Sequence, residues 1–452
     1  MSTTLEPEKT SMRRVAFASC AGTTIEFYDF FIYGTAAALV FPTVFFPALG
    51  AAAGTVASFA TFAVAFFARP VGAVLFGHFG DRIGRKKTLI STLLLMGAAT
   101  VGIGLLPGAD TIGVLAPILL VAFRFAQGFA VGGEWAGATL LATEYAPVGK
   151  RGLYAVFPQV GPAFAFALST GTFLIVNLFV GETSTAFVEW GWRVPFIASS
   201  LLVLIGLYVR LKVEETPMFR ARADAQTDAH ADGQPRIRTQ APFSAAMRHQ
   251  WREILIAGGA LSMLFAFFYI GTAFLTSYGT AVVGLSRATV LTIGLGGAVV
   301  FGIVIAVAGI YSDRIGRKKV VLASCLVSVP WGFVLFPLLD TGSGTAFALG
   351  LYGTLVIFAA SYGPAGALLP EMFKTEYRYT GAGMAYNLAG VIGGGTAPMI
   401  ASHLSETGRT DQIGLVLAGF GLLSVICALM LPETSNRSME DAEPLPGEPV
   451  AV

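Results

Sequence analysis

Asp81-Arg82-Ile83-Gly84-Arg85-Lys86-Lys87 recurs, residue for residue, as Asp313-Arg314-Ile315-Gly316-Arg317-Lys318-Lys319. Each copy is a short charged turn between two long apolar runs, so a hydrophobic segment ends, reverses and begins again on one side of an apolar layer. Two further echoes keep the same order. Glu144 and Arg151 are spaced like Glu371 and Arg378, and Glu215-Thr216 is matched by Glu433-Thr434. Three echoes in sequence identify a duplicated chain.

Of the 452 residues, 55% are hydrophobic and 12% charged, about half the charge of an ordinary soluble domain. Apolar runs recur from residue 15 to residue 431, each near the ~20 residues a helix needs to cross ~30 Å of hydrocarbon. We place twelve spans at about 15–41, 54–79, 88–107, 113–142, 153–180, 193–211, 253–282, 288–311, 319–338, 345–370, 381–403 and 412–431. The runs are too long, and alternate too little, for barrel strands. Of the 29 basic residues, only Arg193, Arg287 and Arg409 fall on the outer side. Arg69 and Arg124 lie inside spans, and the others cluster on the opposite face. The positive-inside rule then puts both termini in the cytoplasm. The expected fold is an all-α membrane protein of twelve transmembrane helices in two pseudo-symmetric six-helix bundles. The parts are a tail at 1–14, a bundle at 15–211, a cytoplasmic linker at 212–252, a second bundle at 253–431 and a tail at 432–452. Two parallel halves with a site between them suit alternating access. The first run, from Val15, leads into Glu26 and Asp29, unlike a cleaved signal core.

Gly77-x-x-Gly80-Asp81-Arg82-Ile83-Gly84-Arg85-Lys86-Lys87 resembles the loop between spans two and three of the major facilitator superfamily; in the second copy Ser312 replaces the second glycine. Other stretches resemble its metabolite:proton symporter branch, whose members carry organic acids, shikimate, and proline or betaine. They are Glu26-Phe27-Tyr28-Asp29-Phe30, Arg69-Pro70, Gln127-Gly128, Gly132-Gly133-Glu134-Trp135, Trp190 to Phe196, and Gly393-Gly394-Gly395 with Pro398. The resemblance covers nearly all of the chain apart from the tails and the 220–250 stretch. It implies a self-sufficient monomer in the cytoplasmic membrane, carrying a small molecule with protons. Gly161-Pro162 begins like the efflux-antiporter pattern, but Ala163-Phe164-Ala165-Phe166 follows, which favours uptake over export.

The charged turns read as a cytoplasmic gate. Beyond setting topology, Asp81 is placed to cap a following turn or to pair with an arginine of the other half, Arg151 or Arg378. The gate set is Asp81, Arg82, Arg85, Glu144 and Arg151 with their repeats Asp313, Arg314, Arg317, Glu371 and Arg378.

Five charges sit well inside the membrane: Glu26, Asp29, Arg69, Arg124 and Glu134. Each costs ~3 kcal/mol or more there and needs a partner or a wet interior. At ~1.5 Å per residue, Asp29 and Arg124 are expected to meet near the midplane. Glu26, Glu134 and Arg69 fall in a lower tier, with Arg69 in an ion pair. Gly22, Glu26, Asp29 and Tyr33 form one helical stripe, and Arg124, Gln127, Glu134 and Trp135 one broad face of span four. A carboxylate beside an arginine stays ionised until protonated, and protonation then frees the arginine for a substrate anion. Porters of the superfamily with an acid in span one and an arginine in span four look alike here. Proton coupling is assigned to Asp29, then Glu26 and Glu134. Substrate binding is assigned to Arg124, Gln127, Tyr28, Tyr33, Trp135, Gln159, Tyr386 and Asn387, with Gln159 and Asn387 at equivalent places in the repeat. Plain packing and static ion pairs are the rival reading for each.

No nucleotide loop is complete, and His78, His230, His249 and His403 form no metal pattern. No cofactor, metal, catalytic centre or nucleic-acid surface is expected. The partners are the bilayer, a small substrate and a proton. An enzyme and a sensor are remote rivals, a sugar porter is disfavoured because its span-end motifs are matched only loosely by Glu215-Thr216 and Pro432-Glu433-Thr434, and the nearest rival is a proton-driven efflux antiporter.

Overall fold

The computed structural model describes residues 12–83, 85–144, 146–147, 149–181, 184–212, 242–374 and 378–435; within these, side chains are described except at 12–15, 17–18, 77–83, 85–86, 141, 209–210, 212 and 242–245. Among the described residues every regular element is helical. The spans are α1 (Met12–Leu39), α2 (Gly50–Ile83), α3 (Arg85–Leu105), α4 (Leu115–Glu144), α5 (Arg151–Val180) and α6 (Arg193–Lys212). The second half has α7 (Trp251–Ala281), α8 (Arg287–Ile315), α9 (Arg317–Leu339), α10 (Gly344–Met372), α11 (Arg378–Ala389, a wider turn over Gly390–Gly395, then Ala397–Glu406) and α12 (Thr410–Met430). Each lies within a few residues of its expected place.

Ten of the twelve are long and apolar enough to cross a membrane by composition alone. The two that fall short are α1 and α11. Glu26 and Asp29 lower α1, while Tyr386, Asn387 and the glycines lower α11. Both pack against the other half, α1 on α7 and α11 on α2, where lipid does not reach.

Local chemistry sets the helix ends. Gly316 adopts φ 105° between α8 and α9, a left-handed value that a side chain resists. A Cβ there would also run into the Glu433 carboxylate. Ser286 caps α8 by accepting from the Thr289 amide. On the outer side, the Arg193 guanidinium donates to the carbonyls of Gly104 (2.9 Å) and Leu106 (2.6 Å), closing the end of α3. Close packing uses small residues, as membrane helices do. A Cβ on Gly72 would overlap the Phe129 carbonyl, and one on Gly128 the Ala65 carbonyl, so α2 and α4 touch backbone to backbone.

Residues 213–241, most of the expected linker, lie outside the described residues. The linker's end differs from expectation: Pro242–His249 is a helix that packs Ala246 inward before α7 begins.

Candidate functional site

At the centre, α1, α3 and α4 bring four polar side chains into one chain of hydrogen bonds. Thr100 Oγ1 donates to Asp29 Oδ2 at 2.6 Å. Gln127 Nε2 donates to Thr100 Oγ1 at 2.7 Å. Arg124 Nη1 donates to Gln127 Oε1 at 3.0 Å. All four are buried, Asp29 at 1% exposure and Arg124 at none. Asp29 and Arg124 therefore do not form the expected direct ion pair; Thr100 and Gln127 stand between them. The helical-stripe reading set this acid directly against this arginine. It had no means of placing a threonine of a third helix in the gap.

Aromatic faces hold the guanidinium. Arg124 lies 3.9 Å from the Tyr33 ring, 4.3 Å from Phe30 and 4.5 Å from Phe62. Tyr33 is held in turn by Thr61, 2.5 Å from its hydroxyl. Arg124 Nε and Nη2, which form the side-on edge of the fork, are buried with no hydrogen-bond partner. Arg69 repeats the arrangement one tier away. It sits 4.3 Å from Phe30 and 4.7 Å from Phe66, again with Nε and Nη2 buried and unpartnered.

A small cavity between the halves is lined by Glu26, Arg69, Gly132, Trp135, Tyr386 and Asn387. Across it, Trp135 stacks on Tyr386 with centroids 3.8 Å apart and 5° between planes. Trp135 Nε1 donates to Gln159 Oε1 (3.0 Å), and Gln159 Nε2 donates to the Tyr362 carbonyl of the other half (2.6 Å). Asn387 Nδ2 makes the reciprocal reach, to the Gly132 carbonyl at 2.8 Å. The repeat-related carboxamides thus each bind the backbone of the opposite half.

Two expected members point elsewhere. Tyr28 donates to the Pro195 carbonyl of α6 at 3.2 Å, inside the first half, because it lies off the stripe of Glu26, Asp29 and Tyr33. Glu134 parts company with Trp135: the turn at Gly132-Gly133 breaks the face of α4, and Glu134 accepts from Thr92 of α3 at 2.8 Å.

The basic face is closed. Asp313 accepts from the amides of Gly152 (2.8 Å) and Leu153 (2.9 Å), capping α5 of the other half, and from Arg317 Nη2 (2.6 Å). These amides begin a helix and have no partner within it. Arg317, fully buried, also donates to Ser312 (2.7 Å) and reaches Glu371 (3.4 Å). Glu371 accepts from Thr434 (2.7 Å) and faces Arg151 across the halves at 3.6 Å. Arg378 donates to the Phe373 carbonyl at 3.3 Å. Arg314 is exposed, because it lies a quarter-turn from Asp313 and Arg317, and Glu144 is exposed beside Arg378, whose charge its carboxylate supports. The side chains of Asp81, Arg82 and Arg85 lie outside those described. The outer side also closes: Arg287 of α8 donates to Asn177 of α5 at 2.9 Å and lies over Phe187 at 3.9 Å. The centre is occluded from both faces. Thr100, Thr92 and Arg287 were missed in the sequence; only the echo at Glu433-Thr434 hinted at the role of Thr434.

The family model of the sugar (and other) transporters matches residues 15–445. The chain is 43% identical over 448 residues to the inner membrane metabolite transport protein YhjE of Escherichia coli, covering 97% of this chain and 99% of that one. It is 40% identical to the shikimate transporter of Escherichia coli, covering 94% and 95%, and 33% identical to a proline/betaine transporter of the same organism, covering 96% and 86%. In fold it matches the proton:xylose symporter XylE of the major facilitator superfamily, bound to 6-bromo-6-deoxy-D-glucose, at a TM-score of 0.73 and 20% identity over 96% of this chain and 99% of that one. The chain belongs to the sugar (and other) transporter family of the major facilitator superfamily, as a multi-pass membrane transporter of metabolites.

Proposed function

We propose that the protein imports a small carboxylate-bearing metabolite together with protons, by alternating access. The observation that carries this reading is the open edge of Arg124. A buried guanidinium keeps its charge, and leaving two N–H donors unpaired in a dry site is costly. Nε and Nη2 present the geometry that grips a carboxylate with two parallel hydrogen bonds. Shikimate, proline and betaine, named in the relatives, each carry one carboxylate. Arg69 offers a similar edge at the cavity between the halves, beside Trp135, Tyr386 and Asn387.

In this scheme Asp29 takes the proton, with Glu26 as the next choice and Glu134, turned toward α3, as the third. Protonation removes the negative charge that balances Arg124, and the substrate carboxylate replaces it. Proton and substrate then travel through one closed state. The clamp of Asp313 on α5 and of Arg151 on Glu371 holds the cytoplasmic face shut and parts to release both. The Asp81 copy does the same at the start of α11, Arg82 and Arg85 flanking it. The transporter works as a monomer in the cytoplasmic membrane.

Reconstitution in liposomes tests this. With acid outside, shikimate, 2-oxoglutarate, citrate, proline and betaine are offered one at a time. Accumulation of at least one carboxylate, collapsing with the pH gradient, is the expected result. Flux of the carboxylate against the proton current would instead mean efflux antiport. No gradient-dependent carboxylate movement in either direction would overturn the reading.

A further inference from the structure

The link between Asp29 and Arg124 passes through a single hydroxyl with more acceptors than it can serve. Thr100 Oγ1 lies 2.6 Å from Asp29 Oδ2 and 2.9 Å from the Met96 carbonyl one turn earlier on α3. It has one proton to donate, and its lone pairs take the Gln127 amide at 2.7 Å. The Gln127 amide has no freedom to flip in this arrangement. Its nitrogen must face Thr100 because its oxygen takes Arg124 Nη1. Thr100 and Gln127 are both fully buried.

We propose that Thr100 is the positioning residue that couples Asp29 to Arg124, a hydroxyl switch whose direction is set by the charge on Asp29. With Asp29 ionised, the hydroxyl points to the carboxylate, and the bonds from Arg124 through Gln127 to Asp29 all run one way and polarise each other. With Asp29 protonated, the acid proton is donated to Thr100 Oγ1, and the Thr100 proton turns to the Met96 carbonyl. The only covalent change is the O–H bond that Asp29 gains on protonation; the Thr100 O–H rotates without breaking. The chain then loses its anionic end, Gln127 holds Nη1 less firmly, and the guanidinium is released to a substrate anion. The charged group that faces Asp29 is Arg124 from α4; Tyr28 of its own helix is a neutral neighbour, and α3 contributes the neutral Thr100.

This rests on the proton-coupled reading, yet it can be tested with no substrate. Infrared spectra of the protein in lipid nanodiscs are recorded against pH, and the Asp29 carboxyl band is isolated by subtracting D29N. Thr100→Val keeps the volume and removes the hydroxyl. An ionised carboxylate that loses a charge-assisted donor becomes easier to protonate, so the Asp29 midpoint is expected to rise by about one pH unit or more. Thr100→Ser keeps the hydroxyl and the wild-type midpoint. Gln127→Leu, which does not touch Asp29, is expected to shift the midpoint as well, and to add nothing in the Thr100→Val background. Additive shifts from T100V and Q127L, or a T100V midpoint equal to wild type, would overturn the proposal. By contrast, gradient-driven accumulation that survives D29N defeats the coupling scheme itself, whatever Thr100 does.

Discussion

Trp135 of the first half and Tyr386 of the second lie face to face, 3.8 Å apart and nearly parallel, with the cavity that holds Glu26 and Arg69 beside them. Both rings are buried, at 3% and 4% exposure. A contact so flat across two bodies that must separate stabilises the closed state specifically. Tyr386→Leu removes the stack and keeps the apolar bulk. A stack contributes ~0.5–1.5 kcal/mol beyond its burial, so the closed population should fall by up to about tenfold. Spin labels at Lys150 and Lys374, exposed on opposite halves, should report a larger share of the long, inward-open distance.

Asp313 makes a stronger claim on the same equilibrium. Its carboxylate serves two α5 amides and Arg317. Asp313→Ala leaves the buried Arg317 short of a partner, and breaking such a pair costs ~3–5 kcal/mol. The same label pair should shift further than in Y386L, with transport lost while the protein remains in the membrane. Asp81→Ala should act in the same direction, through the start of α11.

The open edge of Arg124 separates charge from geometry. Arg124→Lys keeps a cation but not the fork. Losing one of two charge-assisted hydrogen bonds costs ~1.5–3 kcal/mol, so carboxylate affinity should fall about tenfold or more. Binding that is unchanged in R124K, measured by calorimetry, would place the carboxylate elsewhere.

Helix contact gives a prediction independent of transport. Gly72→Ala forces a methyl group into the Phe129 carbonyl, whereas Gly419 has nothing within 4 Å of a built Cβ. Overpacking costs ~1–3 kcal/mol or more. In detergent, G72A should unfold at clearly lower temperature than wild type, and G419A should not.

Much of this was written in the order of residues. Apolar length gave the spans, and the repeated Asp81 and Asp313 turns gave the duplication. Arg124 and Gln127 were legible because they are three residues apart on one helix and share a face by spacing alone. Thr100 was not: it sits in an apolar run where a threonine usually bonds its own preceding turn, as this one also does with Met96. Its second role depends on how α3 is rotated against α1 and α4, which no spacing within one helix records. Glu134 and Trp135 looked like one face until Gly132-Gly133 interrupted the helix that periodicity assumed. Tyr28 was grouped with the site by adjacency to Asp29, but one residue along a helix is a turn of about 100°, enough to aim it at Pro195.

The central claim is that proton uptake on Asp29 drives the carboxylate at Arg124. Asp29→Asn mimics the protonated acid and cannot release it. In liposomes, D29N should retain exchange of external for internal carboxylate near the wild-type rate, while accumulation driven by an inward pH gradient disappears. Accumulation by D29N at the wild-type level would contradict the account.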